Sequence, residues 1–353
     1  MPTITLANHK SFAADAAVSL LDAAQTAGLT LEHSCRTGRC GVCKTQVTQG
    51  TTTVLRPEES LSAAELAAGW VLTCCRAAAT DLQLDACDLE ALPALPVQTL
   101  PCRIDSLERL APDVLQVLLR LPPAQRCNYR PGQYLKLIGL GGVQRSYSLA
   151  SAPRADGKLE LHIRQVPEGV FSRYWFGTTD AGGAQVGDLL RLRGPLGSFG
   201  LRKSARTHLV LLATGTGIAP ILALLEQLLA VCEAGTHWNT HHIHVYWGGR
   251  SAEDLYAMPR LMALVNSLSM QLSAGCKAEC NPVLSRPAAD WTGRTGHVQA
   301  AVLQDAQQGE LSLADATVYA CGSPAMIGDA RAQLVQAGLE ARQFYADAFV
   351  GSN

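Results

Sequence analysis

Net charge is nearly absent from this sequence. Its 353 residues hold 29 basic and 30 acidic side chains, a balance of −1. A nucleic-acid-binding surface leaves a strongly basic footprint, so nucleic acid is not an expected partner. No block of like charges forms an interaction tail. Charged residues make up only 17% of the chain and aromatics 5%, while 48% is hydrophobic, enough to build a sizeable buried core. The opening segment, MPTITLANHKSF, has no basic stretch followed by an apolar run. No secretory leader is expected, and the setting reads as cytoplasmic and reducing. Long apolar runs are scarce too. One exists, Leu209 to Val231, but Gly215, Gly217 and Pro220 interrupt it and it carries Glu226. It reads as a buried strand, a glycine loop and a helix, and no membrane span is expected. At about 100–200 residues per domain, the length allows two to three domains.

Cysteine, by contrast, is abundant: twelve in all. In a reducing compartment such residues are metal ligands or core thiols more often than disulfides. Eight are scattered: Cys75, Cys87, Cys102, Cys127, Cys232, Cys276, Cys280 and Cys321. The other four are not. His33-Ser34-Cys35-Arg36-Thr37-Gly38-Arg39-Cys40-Gly41-Val42-Cys43 is followed by Cys74. C-x4-C-x2-C with a distant fourth cysteine is the plant-type [2Fe–2S] ferredoxin spacing. A short loop must deliver three thiolates around the cluster. Gly38 and Gly41 let its backbone bend and approach the inorganic sulfurs, where N–H groups tune the potential. A zinc site would favour two paired C-x2–4-C units, and only one pair exists here. Cys74 and Cys75 compete for the fourth position. Leu72-Thr73-Cys74, with Asp81 seven residues on, resembles the ferredoxin register and favours Cys74.

Three units follow along the chain, giving a multidomain α+β and α/β architecture. Residues 1–90 read as a ferredoxin domain of the β-grasp type. It has strands at Thr3–Leu6, Lys44–Val47 and Asp81–Leu84, and a helix near Ser19–Gln25. Residues 91–101, ALPALPVQTLP, carry three prolines and read as a semi-rigid linker. Residues 102–203 show short alternating runs (Val114–Leu119, Tyr134–Ile138, Leu159–Arg164, Leu189–Arg193) punctuated by glycine, the pattern of an antiparallel barrel. Residues 204–353 alternate strands (His208–Ala213, Ile243–Trp247, Ala316–Ala320) with helices (Ile221–Ala230, Pro259–Ser267, Ala325–Ala337). That order implies a parallel nucleotide-binding sheet.

Within the barrel segment, Arg145-Ser146-Tyr147-Ser148 resembles the R-x-Y-S signature of the ferredoxin–NADP reductase superfamily. Gly169-Val170-Phe171-Ser172 resembles its G-x-x-S, and Gly194-Pro195-Leu196-Gly197-Ser198-Phe199 its barrel-closing motif. The resemblance implies that Arg145 pairs with the flavin pyrophosphate, whose planar guanidinium suits phosphate, and that FAD is bound rather than FMN. Tyr147 would pack on the flavin and Ser148 lie near its reactive edge. Gly169 and Ser172 would cradle phosphate, with His162 and Arg164 as further cofactor contacts. In the third unit, Thr214-Gly215-Thr216-Gly217-Ile218-Ala219-Pro220 links strand to helix, a phosphate site by geometry. It resembles the superfamily's pyridine-nucleotide loop, not G-x-G-x-x-G. Cys321-Gly322-Ser323-Pro324 resembles its C-G-x-P, implying that Cys321 lies by the nicotinamide and that Gly322 permits close approach. Phe344-Tyr345-Ala346-Asp347-Ala348-Phe349 resembles its C-terminal segment, implying that Phe349 covers the flavin. At the end of the second strand, Asp254 suits a ribose 2′-hydroxyl and hence NADH; Arg250 would suit the 2′-phosphate of NADPH. NADH is the expectation.

His237, His241, His242 and His244 crowd one region, but no acidic or cysteine partner is apparent in sequence and no metal is expected there. Cys276 and Cys280 are spaced as on a helix face, without a second pair. Ferredoxin, flavin barrel and nucleotide unit in this order are similar to reductase components of bacterial oxygenases. Leu31–Cys35, Leu72–Cys75, Leu100–Arg103, Trp291–Gly296, Tyr319–Pro324 and Phe344–Phe349 look more narrowly like CDP-6-deoxy-Δ3,4-glucoseen reductases. The resemblance implies electron flow from NADH through FAD to the [2Fe–2S] cluster. The acceptor would be a partner enzyme, a pyridoxamine-dependent sugar dehydrase or an oxygenase. A redox-sensing protein without turnover is the reading from another class.

Overall fold

The computed structural model describes residues 1–89, 92, 95–177, 182–235, 240–271 and 277–350. Position 90, three positions of the expected linker (91, 93 and 94), His237 and Cys276 lie outside them.

The first unit is a five-stranded mixed sheet in the order β2-β1-β7-β3-β5, with a separate β4-β6 pair. Its strands are β1 (Thr3–Leu6), β2 (Ser11–Ala13), β3 (Lys44–Gln49), β4 (Thr52–Val54), β5 (Trp70–Leu72), β6 (Arg76–Ala78) and β7 (Leu82–Leu84). In β1, Ile4 and Leu6 point inward and alternate with threonines. Helix α1 (Leu20–Thr26) starts where Ser19 Oγ accepts the Asp22 N–H, and it buries Leu20, Leu21, Ala23 and Ala24. A short α2 (Ala63–Ala67) buries nothing and stands on a Ser62–Glu65 capping box.

The second unit is an antiparallel sheet in the order β11-β10-β13-β8-β9-β12. Its strands are β8 (Gln98–Ala111), β9 (Val114–Arg120), β10 (Tyr134–Ile138), β11 (Gln144–Ser148), β12 (Leu159–Arg164) and β13 (Leu189–Leu196). A bridge between Leu149 and Leu161 joins the two edge strands and closes the barrel. A helix, α3 (Val170–Trp175), follows β12. The linker expected to reach 101 ends sooner: Gln98 to Pro101 already pair with Gly194 to Arg191 of β13. Proline is tolerated there because the strand needs no N–H at that point in the ladder.

The third unit is parallel throughout, in the order β17-β16-β15-β14-β18-β19. Its strands are β14 (His208–Thr214), β15 (His242–Gly249), β16 (Lys277–Leu284), β17 (Arg294–Thr295), β18 (Ala316–Gly322) and β19 (Phe344–Ala348). Helices α4 (Ile218–Glu233) and α5 (Met258–Gln271) cover one face, and α6 (Val298–Gln307) and α7 (Pro324–Gln336) the other. Cys280 lies on strand β16, not on the helix its spacing suggested. The strand order reverses at β14, and ligands bind at such switch points. Gly215–Glu233 is long and apolar enough to cross a membrane, but 56% of it is buried, with Ile218 to Leu225 packed into the core.

The histidines group at the N-terminal edge of this sheet, with an addition that sequence spacing did not reveal. His208 of β14 stacks on His242 with centroids 4.8 Å apart, and its Nδ1 lies 3.1 Å from His244 Nε2. An acidic partner is also present: Glu279 of β16 is 2.7 Å from His244 Nδ1. The neighbouring charges are His241, Lys277 and Asp315. Burial first, and then His244 and His242, lower His208 to about 4. The unfolded chain therefore takes up a proton near the ordinary histidine value that the folded chain refuses until about 4. Stability is expected to be level above about pH 6.5 and to fall as the pH drops through that window. Thermal midpoints across this range should show the fall, and His208→Gln should remove only its share, since burial lowers His33 and His162 as well.

Barrel and nucleotide unit share a buried polar seam. Arg260 of α5 donates to Glu160 of β12 at 2.5 Å, to Glu226 of α4 at 2.6 Å and to the Ala150 carbonyl at 3.1 Å. His162, expected as a cofactor contact, belongs to this seam. Its Nε2 is 3.1 Å from Glu160 and its Nδ1 3.0 Å from the Tyr256 hydroxyl. Along β12, Leu159, Leu161 and Ile163 fill the barrel, so Glu160, His162 and Arg164 face the nucleotide unit. Burial keeps His162 neutral. The network assigns its proton to Nε2, with Nδ1 accepting from Tyr256.

Candidate functional site

The cysteine loop lies between α1 and β3. Gly38 and Gly41 take φ of 83° and 71°, and a Cβ on Gly38 would overlap the Pro57 carbonyl. The four expected ligands form two thiol pairs. Cys43 Sγ is 3.4 Å from Cys74 Sγ, and the Cys40 thiol bonds Cys35. In each pair one thiol ionises readily and the other resists. The Cys40 bond lowers Cys35, and the Cys43 bond lowers Cys74. Their partners Cys40 and Cys43 are pushed up by the same bonds and by burial. Iron removes that cost, since a coordinating thiol is deprotonated outright. Among the described residues, no three such groups converge on a single-ion position; two pairs suit a two-iron centre. Cys75 is completely buried, and its thiol donates to Pro57 O at 3.5 Å.

The flavin motifs gather around β10, β11 and α3. Arg145 is partly exposed and donates to the Gln144 carbonyl at 2.7 Å, a local bond that a phosphate can replace. Tyr147 packs against Phe171 and Trp175, and its hydroxyl accepts from Trp175 Nε1 at 3.2 Å. Gly169 caps α3, and Ser172 Oγ accepts the Val166 N–H at 2.7 Å, closing the loop between them. A Cβ on Gly139 would collide with Phe171, and one on Gly197 would sit 3.0 Å from the Tyr134 ring. The backbone is thus drawn in tightly around the aromatic set. Ser148 Oγ donates to Asp347 Oδ2 at 3.2 Å. Asp347 is buried, and burial pushes its carboxyl up to about 6 against the bonds from Ser34 and Ser148.

The nucleotide motifs line a cavity of about 480 Å³ at the switch point. Thr214, Gly215, Thr216, Gly248, Arg250, Asp254, Gly322 and Phe349 all contribute. Gly217 underlies the loop, where a Cβ would overlap the Cys321 carbonyl; one on Gly322 would overlap Thr214 Oγ1. Pro220 falls in the first turn of α4, where no N–H is needed. Arg164 reaches across from the barrel to donate to Asp254 Oδ1 at 2.6 Å. Asp254 Oδ2 accepts the Arg250 N–H at 2.7 Å, so the expected ribose carboxylate is already engaged by protein. Cys321 is fully buried, and burial pushes its thiol well up; its side chain supports the glycine loop from within the core. The sequence reading missed Gln299. It lines the cavity, is 6% exposed, and its Oε1 has no partner. An orphaned buried acceptor facing a cavity fits a bound polar ligand.

Two thiol pairs built on a C-x4-C-x2-C loop, an antiparallel barrel and a parallel nucleotide-type sheet in one chain define an electron-transfer oxidoreductase. Profiles of known domains match in the same order: the 2Fe-2S iron-sulfur cluster binding domain over 4–79, the oxidoreductase FAD-binding domain over 101–200, and the oxidoreductase NAD-binding domain over 211–332. The CDP-6-deoxy-L-threo-D-glycero-4-hexulose-3-dehydrase reductase of Yersinia pestis is 36% identical over 342 residues, covering 97% of this chain and 96% of the relative. The xylene/toluene monooxygenase electron transfer component of Pseudomonas putida is 30% identical over 335 residues, 94% of this chain and 88% of the relative. The solved Amycolatopsis cytochrome P450 reductase GcoB matches with a TM-score of 0.72 and 28% identity, covering 100% of both chains. The chain belongs to the family of ferredoxin-fused flavoprotein reductases that includes these dehydrase and oxygenase reductases.

Proposed function

We propose that this reductase takes electrons from NADH and delivers them to a pyridoxamine-dependent CDP-deoxysugar 3-dehydrase. Bound flavin accepts a hydride and gives up electrons singly, which joins a two-electron donor to a one-electron cluster. The observation that carries the reading is a junction of all three units. Ser34, beside Cys35, and Ser148 both bond Asp347, which pairs across β19–β18 with Cys321. In this reading Arg145, Gly169 and Ser172 hold the flavin phosphates, Tyr147 and Phe349 pack its ring, and Ser148 and Asp347 hold a proton beside it. Thr214 to Gly217 and Arg164 take the dinucleotide phosphates, with Gly322 admitting the nicotinamide. Cys35, Cys40, Cys43 and Cys74 hold the cluster.

NADH fits better than NADPH because the carboxylate of Asp254, still with open lone pairs, stands at the cavity wall. Eleven free cysteines among the described residues fit a reducing, cytoplasmic setting. The dehydrase is favoured because that relative matches over more of both chains. An oxygenase partner is the second reading, favoured by the monooxygenase component. Anaerobic mixing with NADH should bleach flavin first and cluster second, and NADPH should do so more slowly. Addition of a purified dehydrase together with its CDP-sugar substrate should then reoxidise both. A cluster that stays oxidised would refute the electron route; reoxidation by an oxygenase alone would refute the dehydrase.

A further inference from the structure

Three successive residues, Glu32, His33 and Ser34, precede the first cluster ligand, and each is bonded to another unit. Glu32 pairs with Arg202 at 2.7 Å. The His33 N–H donates to Ser198 Oγ at 2.8 Å, and the His33 carbonyl accepts from the Ser198 N–H at 3.0 Å. The Ser34 carbonyl accepts from the Tyr134 hydroxyl at 2.6 Å, and Ser34 Oγ donates to Asp347 Oδ1 at 2.6 Å. Tyr134 is buried on β10 of the barrel, Ser198 lies in the loop after β13, and Asp347 lies on β19 of the nucleotide unit. The tripeptide therefore engages the flavin barrel and the nucleotide unit within one turn of chain. Cys40, on the far side of the same loop, packs against the core of the nucleotide unit. Surface ion pairs elsewhere in this interface, such as Arg342–Asp85, are exposed and contribute little. The buried bonds at His33 and Ser34 are the ones with leverage, because breaking either leaves a desolvated polar group unpaired.

We infer that Glu32-His33-Ser34 is a docking peg, with Ser34 as the positioning residue for the step from flavin to cluster. The peg rests on the electron route proposed above and deepens it. None of its three residues lines the nucleotide cavity, so it acts on the second transfer and not on the first. Its two anchors at Ser34 are independent: one uses the backbone carbonyl, the other the side chain. Removing both, as Ser34→Ala with Tyr134→Phe, leaves the loop held by Glu32 and His33 alone and adds no bulk.

The test compares wild type, Ser34→Ala, Ser34→Thr and the Ser34→Ala/Tyr134→Phe double variant. Stopped-flow absorbance under anaerobic NADH separates flavin bleaching from cluster bleaching. Small-angle X-ray scattering of the same samples without NADH reads the docking itself. In the double variant cluster bleaching should fall about tenfold relative to flavin bleaching in the same sample, since small displacements of reacting groups are costly. Its radius of gyration should rise, and Ser34→Thr, which keeps the hydroxyl, should restore both readings. Unchanged cluster bleaching with unchanged scattering would overturn the peg. A wild-type cluster that NADH never bleaches, with scattering that still expands in the double variant, would overturn the electron route and leave the peg standing.

Discussion

Replacing Cys74 with serine is expected to strip the protein of its bound iron and of the cluster's EPR signal, while Cys75→Ser keeps both. The two cysteines are adjacent and both buried, so accessibility does not separate them. Geometry does. Cys74 Sγ lies 3.4 Å from Cys43 Sγ, completing the second thiol pair. Cys75 turns its thiol to the Pro57 carbonyl, and burial raises its pKa. Packing around Gly38, whose Cβ would crowd Cys75 Sγ, gives Cys75 a structural place behind the loop. Its replacement by the smaller, more polar serine should lower stability modestly and leave the EPR line shape unchanged. Iron retained by Cys74→Ser and lost from Cys75→Ser would reverse the assignment.

The second large effect lies at the seam between barrel and nucleotide unit. Arg260→Met should cost about 3–5 kcal/mol, the range for removing one partner of a buried ion pair. Glu160 is the reason. Its side chain is only 2% exposed, and Arg260 donates to it at 2.5 Å. Burial works to raise Glu160, but His162 and Arg260 outweigh it and hold the carboxyl at about 2. Without Arg260 that carboxylate keeps its desolvation cost and loses its strongest partner. Making the pair apolar, as Glu160→Leu/Arg260→Met, should cost less than Arg260→Met alone, since the deeply buried carboxylate is gone and only the part-exposed Glu226 loses its cation. Urea midpoints of the transition that reports on these two units would measure this. A double variant less stable than Arg260→Met would contradict the account. The seam also sets how the nucleotide cavity faces the barrel, because Arg164 crosses it on the same strand as Glu160.

How much of this was legible in sequence varied with the range of the interactions. The cluster loop was the clearest, because three ligands sit within one short stretch and spacing alone encodes the geometry. The parallel sheet was legible too: β14, β15 and β18 are continuous apolar runs, as strands buried on both faces must be. Helix α4 starts earlier than expected. It begins at Ile218, because the glycine loop tightens into one turn and leads straight into the helix. Strands of three residues, such as β2, β4 and β6, are too short to display a period. Helix α2 has no apolar face, yet Ser62-Ala63-Ala64-Glu65 is a capping-box signature that could have revealed it. The remaining misses are long-range. Ser34 meets Asp347 across 313 residues and Tyr134 across 100, and nothing local to either residue encodes the meeting. His162 and Asp254 show the same limit: each has a partner on another unit that sequence did not reveal.

The chain that runs on from the first unit into the barrel is, finally, a covalent tether. Two modules on a short tether meet at an effective concentration of about millimolar, whatever the amount of protein in solution. A free ferredoxin held only by the peg would have to bind in competition with dilution, and each turnover would wait on an encounter. Fusion turns that encounter into a first-order event. The internal transfer should therefore keep one rate from dilute to crowded samples, and only delivery to the outside acceptor should respond to concentration.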